Sequence, residues 1–365
     1  MSALRFAIVG CGAIAPTHVR ALQQLAGRVE LVACSDIVPE RAEALAAEFG
    51  LAAMAFDDIL SDPTIDAVSV CVPSGRHAEV GVPALLAGKH IIIEKPMEVT
   101  LEACDRLIRA QRTSGRTLAV VSQHRFDPAA QLVHEAISDG RLGRLVLAEC
   151  RVPWLRTQEY YDSGEWRGTW ELDGGGALIN QGIHTVDLLR WMCGPVETVY
   201  AQARTATHDR IEVEDVVCST VSFADGAIAT VMATTSAFPG FPASLSLHGT
   251  DGGAVINGDR LASLSLTDGT VLGGEGTTAH AQQVAAGGTR AATLAVAEAP
   301  ADVAVDPADV WGEAHRLQLL DFVDAIAEDR APLVDGVGGR QTLELVLAIY
   351  ASARTGDVVR LPLTS

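Results

Sequence analysis

Short apolar runs and helix-period segments alternate over the first 125 residues. The runs RFAIVG (5–10), VELVACSD (29–36), DAVSVCV (66–72), KHIIIE (89–94) and TLAVVSQ (117–123) read as strands. They are too continuously apolar to have a wet face, as expected of a parallel sheet covered on both sides. Between them lie APTHVRALQQLAG (15–27), PERAEALAAEFG (39–50), HAEVGVPALLAG (77–88) and TLEACDRLIRAQRTSG (100–115), each closing at a glycine, a common helix stop. Strand–helix alternation of this kind predicts a doubly wound α/β domain over residues 1–125.

Beyond residue 125 the rhythm changes. A helix, DPAAQLVHEAISDG (127–140), precedes a strand-like RLVLAECRVPW (144–154), a loop rich in aromatic and charged residues (156–173), and a second helical segment, GGALINQGIHTVDLLRWMCG (175–194). From Val196 to Gly258 successive strands separated by turn signals predict a large open, mainly antiparallel sheet. Residues 275–308 are rich in Ala, Gly and Thr and weakly patterned, which reads as a long surface excursion. Two helices, 315–330 and 339–356, close the chain. Residues 126–365 therefore read as an α+β domain for substrate binding and oligomerisation.

The strand AIATVMATTSAF (227–238) carries small or apolar residues at both alternating sets of positions. One face can pack on the chain's own helices, and the other is expected to meet a second copy in a homodimer or homotetramer.

Charge removes several classes of partner. The formal net charge is −19, which excludes the basic stripe that a nucleic-acid binder presents to phosphates. No apolar run reaches the roughly 18 residues of a membrane span. The chain enters its first strand within a few residues of Met1, without the charged and apolar regions of a secretory leader. Seven scattered cysteines include no C-x-x-C pair. Free thiols in a reducing cytoplasm fit best, and a cysteine zinc site is not expected.

The turn AIVGCGAIAPTH places Gly10, Gly12 and Ala15 in the G-x-G-x-x-G/A pattern, after a strand and at the start of a helix. Gly10 permits the tight turn, Gly12 lets a pyrophosphate approach, and Ala15 keeps helix and strand close. The second strand ends at Asp36, about twenty residues on, where a carboxylate accepts from ribose hydroxyls and repels a 2′-phosphate. Ile37 follows, rather than a base, so NAD is expected in preference to NADP.

Only Lys89 and Lys95 are lysines; the other basic residues are arginines. Lys95 stands at the C-terminal end of a parallel strand, where ligand crevices form. Arginine cannot release a proton, whereas a desolvated lysine can.

Here the chain resembles the Gfo/Idh/MocA family (glucose–fructose oxidoreductase, inositol 2-dehydrogenase, rhizopine catabolism). The similarity rests on GCGAIAPTH, VPSGRH (72–77), EKP (94–96), GRLGRL (140–145), GGGALINQGIHTVDLLRW (174–191) and the closing LLDFVDAIAEDRAPLVDG. It implies a Rossmann domain, a domain with a large open sheet, and nicotinamide-dependent oxidation or reduction of a secondary alcohol on a sugar or cyclic polyol. It implies that Ala13, Ile14, Pro73, His77, Glu94 and Lys95 join Gly10, Gly12, Ala15 and Asp36 around the cofactor. It also implies that Lys95 touches substrate and that His184 is the catalytic histidine.

Asn180 lies four residues before His184, so the two share a helix face, with Asp187 one turn on. The inositol dehydrogenase pattern has an aspartate at the position of Asn180. Asparagine orients a hydroxyl but cannot ionise, so Lys95 and His184 are expected to share the proton work. Asp187 either holds the His184 tautomer or stands in a second layer. A metal held by His184 and Asp187 lacks further ligands and is not expected.

The loop PWLRTQEYYDSGEWRGTWELDGGG offers aromatic faces and arginines. Arg156 and Trp166 are candidate substrate contacts; Trp154, Tyr160, Tyr161 and Arg167 serve either substrate or local packing. Arginines facing a diphosphate would instead suit a nucleotide-sugar 3-dehydrogenase. A non-catalytic NAD-dependent sensor on the same fold has no need to keep both Lys95 and His184.

Overall fold

The computed structural model describes residues 3–273 and 307–363. Most of the excursion expected at 275–308 thus lies outside the described residues, and its last two residues already belong to a helix, Pro307–Ala327.

The first layer is a parallel six-stranded sheet. Its strands are β1 (Leu4–Val9), β2 (Val29–Ser35), β3 (Ala52–Ala53), β4 (Ala67–Val70), β5 (His90–Ile93) and β6 (Leu118–Val120), in spatial order β3-β2-β1-β4-β5-β6. The order reverses between β1 and β4, and a crevice for ligand opens there at the carboxyl ends of the strands. The helices α1 (Ala15–Gln23), α2 (Pro39–Phe49), α3 (Phe56–Ser61), α4 (His77–Leu86) and α5 (Leu101–Ser114) cross between them. All of β4 is buried, as the unbroken apolar runs anticipate. Thr100 caps α5 by accepting from the Ala103 N–H, and Gly115, at φ 66°, ends it. The pair β3 and α3 is too short to give a periodic signal and was not expected.

The second layer has nine strands: β7 (Leu145–Pro153), β8 (Val196–Arg204), β9 (Val216–Phe223), β10 (Ile228–Thr234), β11 (Ser244–Gly249), β12 (Gly252–Asn257), β13 (Arg260–Leu266), β14 (Val271–Leu272) and β15 (Val359–Arg360). Pairing is antiparallel except between β7 and β10, which run parallel. The inner face packs on α6 (Pro128–Ser138), α8 (Ile183–Cys193) and α10 (Gly336–Thr355) through residues such as Val217, Val231, Leu245, Leu189 and Val346; the short α7 (Gln158–Asp162) lies in the aromatic loop. The outer face exposes Leu147, Tyr200 and Ile228. Most other outward positions are small or polar, among them Thr220, Thr230 and Ser246. The continuous apolar patch expected there is therefore a mixed surface: the outward positions of β10 alternate Ile228 and Met232 with Thr230 and Thr234, where the inward ones hold alanine and valine.

A clean division at residue 125 does not describe the packing. The helix Pro307–Ala327, α9, returns to the first layer, where Leu319, Phe322 and Val323 are buried with Phe6, Ile8 and Leu22. The Phe6 and Phe322 rings meet edge to face at 6.1 Å.

Candidate active site

The glycine turn is set by a close approach of two strands. Gly10 has φ 96°, and a Cβ there would sit 2.6 Å from the carbonyl carbon of Cys71 at the end of β4. Gly12 and Ala13 are exposed, and a Cβ on Gly12 would meet nothing within 4 Å, so the space in front of α1 is open. Asp36 Oδ2 accepts from the Cys11 N–H at 2.7 Å and Oδ1 from the Val38 N–H at 2.8 Å, which ties the acid to the glycine turn. Ile37 beside it is fully exposed. This geometry fits a dinucleotide: Gly10, Gly12, Ala13, Ile14 and Ala15 could cradle a pyrophosphate at the positive end of α1, and the Asp36 carboxylate stands where it could accept from an adenosine ribose.

At the other end of the crevice, Ile14, Glu94, Lys95, Arg156, Asn180 and His184 line one cleft of about 580 Å³. Six sequence-predicted residues from both layers thus converge. Lys95 Nζ donates to the Asn180 backbone carbonyl at 2.8 Å. Burial lowers the Lys95 pKa, while the nearby carboxylates of Glu94 and Asp173 oppose that shift. The His184 imidazole receives no hydrogen bond from the described residues and meets His124 edge to face at 5.1 Å. Burial first, then the positive field of Lys95, holds its pKa well below the ordinary histidine value, so the ring is neutral at neutral pH.

The segment bearing Asn180 is not the regular helix expected. Ala177–Gly182 is a π turn, and α8 begins at Ile183. The Asn180 carbonyl, in this wider turn, accepts from Lys95. The turn is pinned by Glu214, which accepts from the Gly176 and Leu178 N–H groups at 2.9 and 2.8 Å. Tyr350 donates to Glu214 at 3.0 Å, and burial raises the Glu214 pKa to about 7. Gly176 passes so close to this segment that a Cβ would stand 1.9 Å from the Glu214 carbonyl oxygen.

Several predicted residues stand elsewhere. Asp187 does not hold His184: it is buried in a two-pronged ion pair with Arg125, both bonds 2.6 Å, and accepts from Thr342 at 2.7 Å. His77 has its ring nitrogens 2.8 and 3.0 Å from the Pro96 and Val72 carbonyl oxygens, which joins the loops after β4 and β5. Pro73 precedes the short 3₁₀ turn Ser74–Arg76 in the same loop. Trp166 does not line the cleft; Arg167 stacks on it at 4.6 Å and on Tyr160 at 4.3 Å. Trp154 and Tyr160 reach the cleft instead, and both stack with Arg156.

Glu94 is 7 % exposed, and its carboxylate lies 2.8 Å from His18 Nε2 and 3.7 Å from His315 Nε2. Burial works against its ionisation, yet the two imidazoles hold it well below the carboxylate range. Glu94 Oε2 also accepts from the Lys95 N–H at 3.0 Å. These three side chains bring ligand-type atoms within 4.8 Å of one another. The His18–Glu94 separation is a hydrogen bond, tighter than two ligands on one tetrahedral ion allow.

Sequence reading missed Gln181, Asp173, Glu214 and His315. Gln181 accepts from Arg156 at 2.7 Å and donates to the Tyr160 hydroxyl at 2.9 Å. Glu214 and Asp215 open the strand-like run EDVVCSTVSFADG, whose pattern does not show that both are buried. The glycine run after Asp173 was the one available signal of close packing there.

Comparison with known proteins agrees with this geometry. Residues 4–122 match the oxidoreductase family with NAD-binding Rossmann fold, and residues 130–255 match the GFO/IDH/MocA C-terminal domain. The chain is 28% identical to 1,5-anhydro-D-fructose reductase of Ensifer adhaerens, over 98% of each. It is 33% identical to the WlbA dehydrogenase of Bordetella pertussis, solved in complex with NADH and UDP-GlcNAcA, with 100% and 99% of the chains covered and a TM-score of 0.84. It is 25% identical to a levoglucosan dehydrogenase solved with NADH and L-sorbose, with both chains fully covered and a TM-score of 0.85. The chain belongs to the Gfo/Idh/MocA family and is an NAD-dependent oxidoreductase acting on CH–OH groups.

Proposed function

We propose that the protein interconverts a secondary alcohol and a ketone on a sugar or cyclic polyol, with Lys95 and His184 sharing the movement of the hydroxyl proton. The observation that carries this reading is that both groups line one cleft at the mouth of the cofactor crevice, and burial disfavours the charged form of each. When bound, NAD supplies the hydride acceptor. His184, neutral at neutral pH, accepts the hydroxyl proton. Neutral Lys95, anchored on the Asn180 carbonyl by one N–H, keeps its second N–H and its lone pair for the substrate hydroxyl. Asn180 orients a neighbouring hydroxyl, and Trp154 and Tyr160 offer faces for a sugar ring. Arg156 stands at the rim as a substrate contact; Trp166 supports it only indirectly, through Arg167 and Tyr160.

A second reading, a nucleotide-sugar dehydrogenase, is favoured by one feature. A further hollow of about 370 Å³ adjoins the cleft, shares Gln123, Trp154, Gln181 and His184 with it, and carries Arg260. The similarity to the WlbA dehydrogenase supports the same reading. A spectrophotometric screen of NAD reduction across free polyols, aldoses and UDP-sugars tests both: turnover of a free sugar or cyclitol supports the first, turnover of UDP-sugars alone the second.

The uncovered sheet face, with Leu147, Tyr200 and Ile228 outward, supports assembly as a homodimer or homotetramer. All seven cysteines are free, in keeping with a cytoplasmic enzyme. No described helix is long and apolar enough to cross a membrane.

A further inference from the structure

Asp173 is 2 % exposed and lies behind the catalytic cleft rather than in it. Its Oδ2 accepts from the Gly168 N–H at 2.9 Å, and its Oδ1 accepts from Asn180 Nδ2 in a short hydrogen bond. The other end of the Asn180 amide, Oδ1, accepts from Gln181 Nε2 at 3.1 Å. Each end of the Asn180 amide thus has one partner, with one N–H turned to Asp173 and the second N–H and second lone pair left for a ligand hydroxyl. The backbone carbonyl of the same residue carries Lys95 Nζ. The backbone after Asp173 is closely packed: a Cβ on Gly174 would stand 2.6 Å from Val99 Cγ1, and one on Gly175 2.3 Å from the Tyr350 hydroxyl.

We infer that Asp173 is a positioning residue for proton transfer by Lys95, supplying from behind Asn180 the carboxylate that residue 180 itself lacks. It acts in two ways. It holds the Asn180 side chain, and with it the turn whose carbonyl anchors Lys95. It also places a negative charge whose field favours the ammonium form and so limits how far burial depresses Lys95. The groups facing Asp173 are Lys95, Arg167 and Asn180, with the hydroxyls of Tyr161 and Tyr350 nearby and Glu214 beyond Tyr350. Burial raises the Asp173 pKa to about 6, so it is mostly ionised at neutral pH and loses its charge in mild acid.

The inference rests on Lys95 as the proton-transfer group, but its test does not need turnover. With only Lys89 and Lys95 present, competitive acetylation with acetic anhydride across a pH series, read by mass spectrometry, follows Lys95 alone. Lys89 is the internal reference, buried with Nζ donating to the Asp62 and Ile65 carbonyls. In Asp173→Asn the labelling midpoint of Lys95 is expected to fall by about one pH unit, a tenfold change in proton affinity. In the exchange variant Asp173→Asn/Asn180→Asp the carboxylate is returned one residue closer, and the midpoint is expected to recover to the wild-type value or above. NADH binding checks that each variant is folded. If Asp173→Asn does not fold, Asp173→Ser decides, since it also removes the carboxylate and should lower the midpoint by a similar amount, and an unmoved midpoint there overturns the inference. With a substrate in hand, Asp173→Asn should lower kcat with little change in KM, and the exchange variant should recover it. A Lys95 midpoint unmoved in Asp173→Asn, or an exchange variant no better than the single one, overturns the inference. Loss of turnover in Lys95 variants bears instead on the proposed function.

Discussion

Lys95 Nζ donates to the backbone carbonyl of Asn180 at 2.8 Å, and this one bond ties the end of β5 to the π turn before α8. Each residue comes from a different layer of the fold. The cleft is therefore complete only when the two layers are docked.

The cofactor preference follows from Asp36. Its carboxylate is held by the Cys11 and Val38 N–H groups and no cation neighbours it in sequence. NAD(H) is expected to bind at least about tenfold more tightly than NADP(H), roughly 1.4 kcal/mol, by isothermal titration. Asp36→Ala should narrow that ratio mainly by weakening NAD(H). Tighter binding of NADPH to the wild type contradicts the role given to Asp36.

Glu214 makes a prediction about stability. Its pKa is raised in the folded chain, to about 7 from an ordinary 4.5, so the folded state holds more protons than the unfolded state between those values. Stability from this group is thus present at low pH and lost as pH rises from about 4.5 to about 7. Glu214→Gln cannot lose that proton. Its destabilisation relative to wild type should be smaller at pH 8 than at pH 5, by on the order of 1–3 kcal/mol in denaturant unfolding. A penalty that is constant or grows with pH contradicts this assignment.

Assembly through the open sheet predicts a dimer or larger species at micromolar concentration by light scattering. Ile228→Asp, a charge placed on the outer face of β10, should shift the protein toward monomer. A wild-type monomer refutes the reading.

Much of this was legible in the sequence. The parallel strands appear as unbroken apolar runs because both faces are covered, and the glycine turn and Asp36 stand at the spacing a dinucleotide requires. Lys95 drew notice as a rare lysine at a strand end. The long-range partners were not legible. Asp187 lies one helical turn from His184, but Arg125, from a segment the pattern leaves silent, claims it. Trp166 and Trp154 look equivalent in the same loop, and only the folded path brings Trp154 to the cleft. The pattern does not show that Asp173 and Glu214 are buried; their burial depends on glycines that let the backbone pass beneath them. The π turn has no signature in a 3.6-residue period and arises where Glu214 and Lys95 each take hold of the backbone.

The central claim is that Lys95 moves a proton rather than merely supplying charge. It is tested most directly by kcat for Lys95→Arg against wild type, on the substrate found by the screen, with NAD affinity measured alongside. Arginine keeps the charge but does not deprotonate, and its fork is too broad for a point contact. General acid–base catalysis contributes about 10²–10⁴-fold, so kcat is expected to fall within that range while NAD affinity, set near Gly10 and Gly12, changes little. The limb of the wild-type pH profile set by the lowered Lys95 pKa should vanish in the variant. A Lys95→Arg enzyme within about threefold of wild-type kcat, with that limb intact, contradicts proton transfer by Lys95.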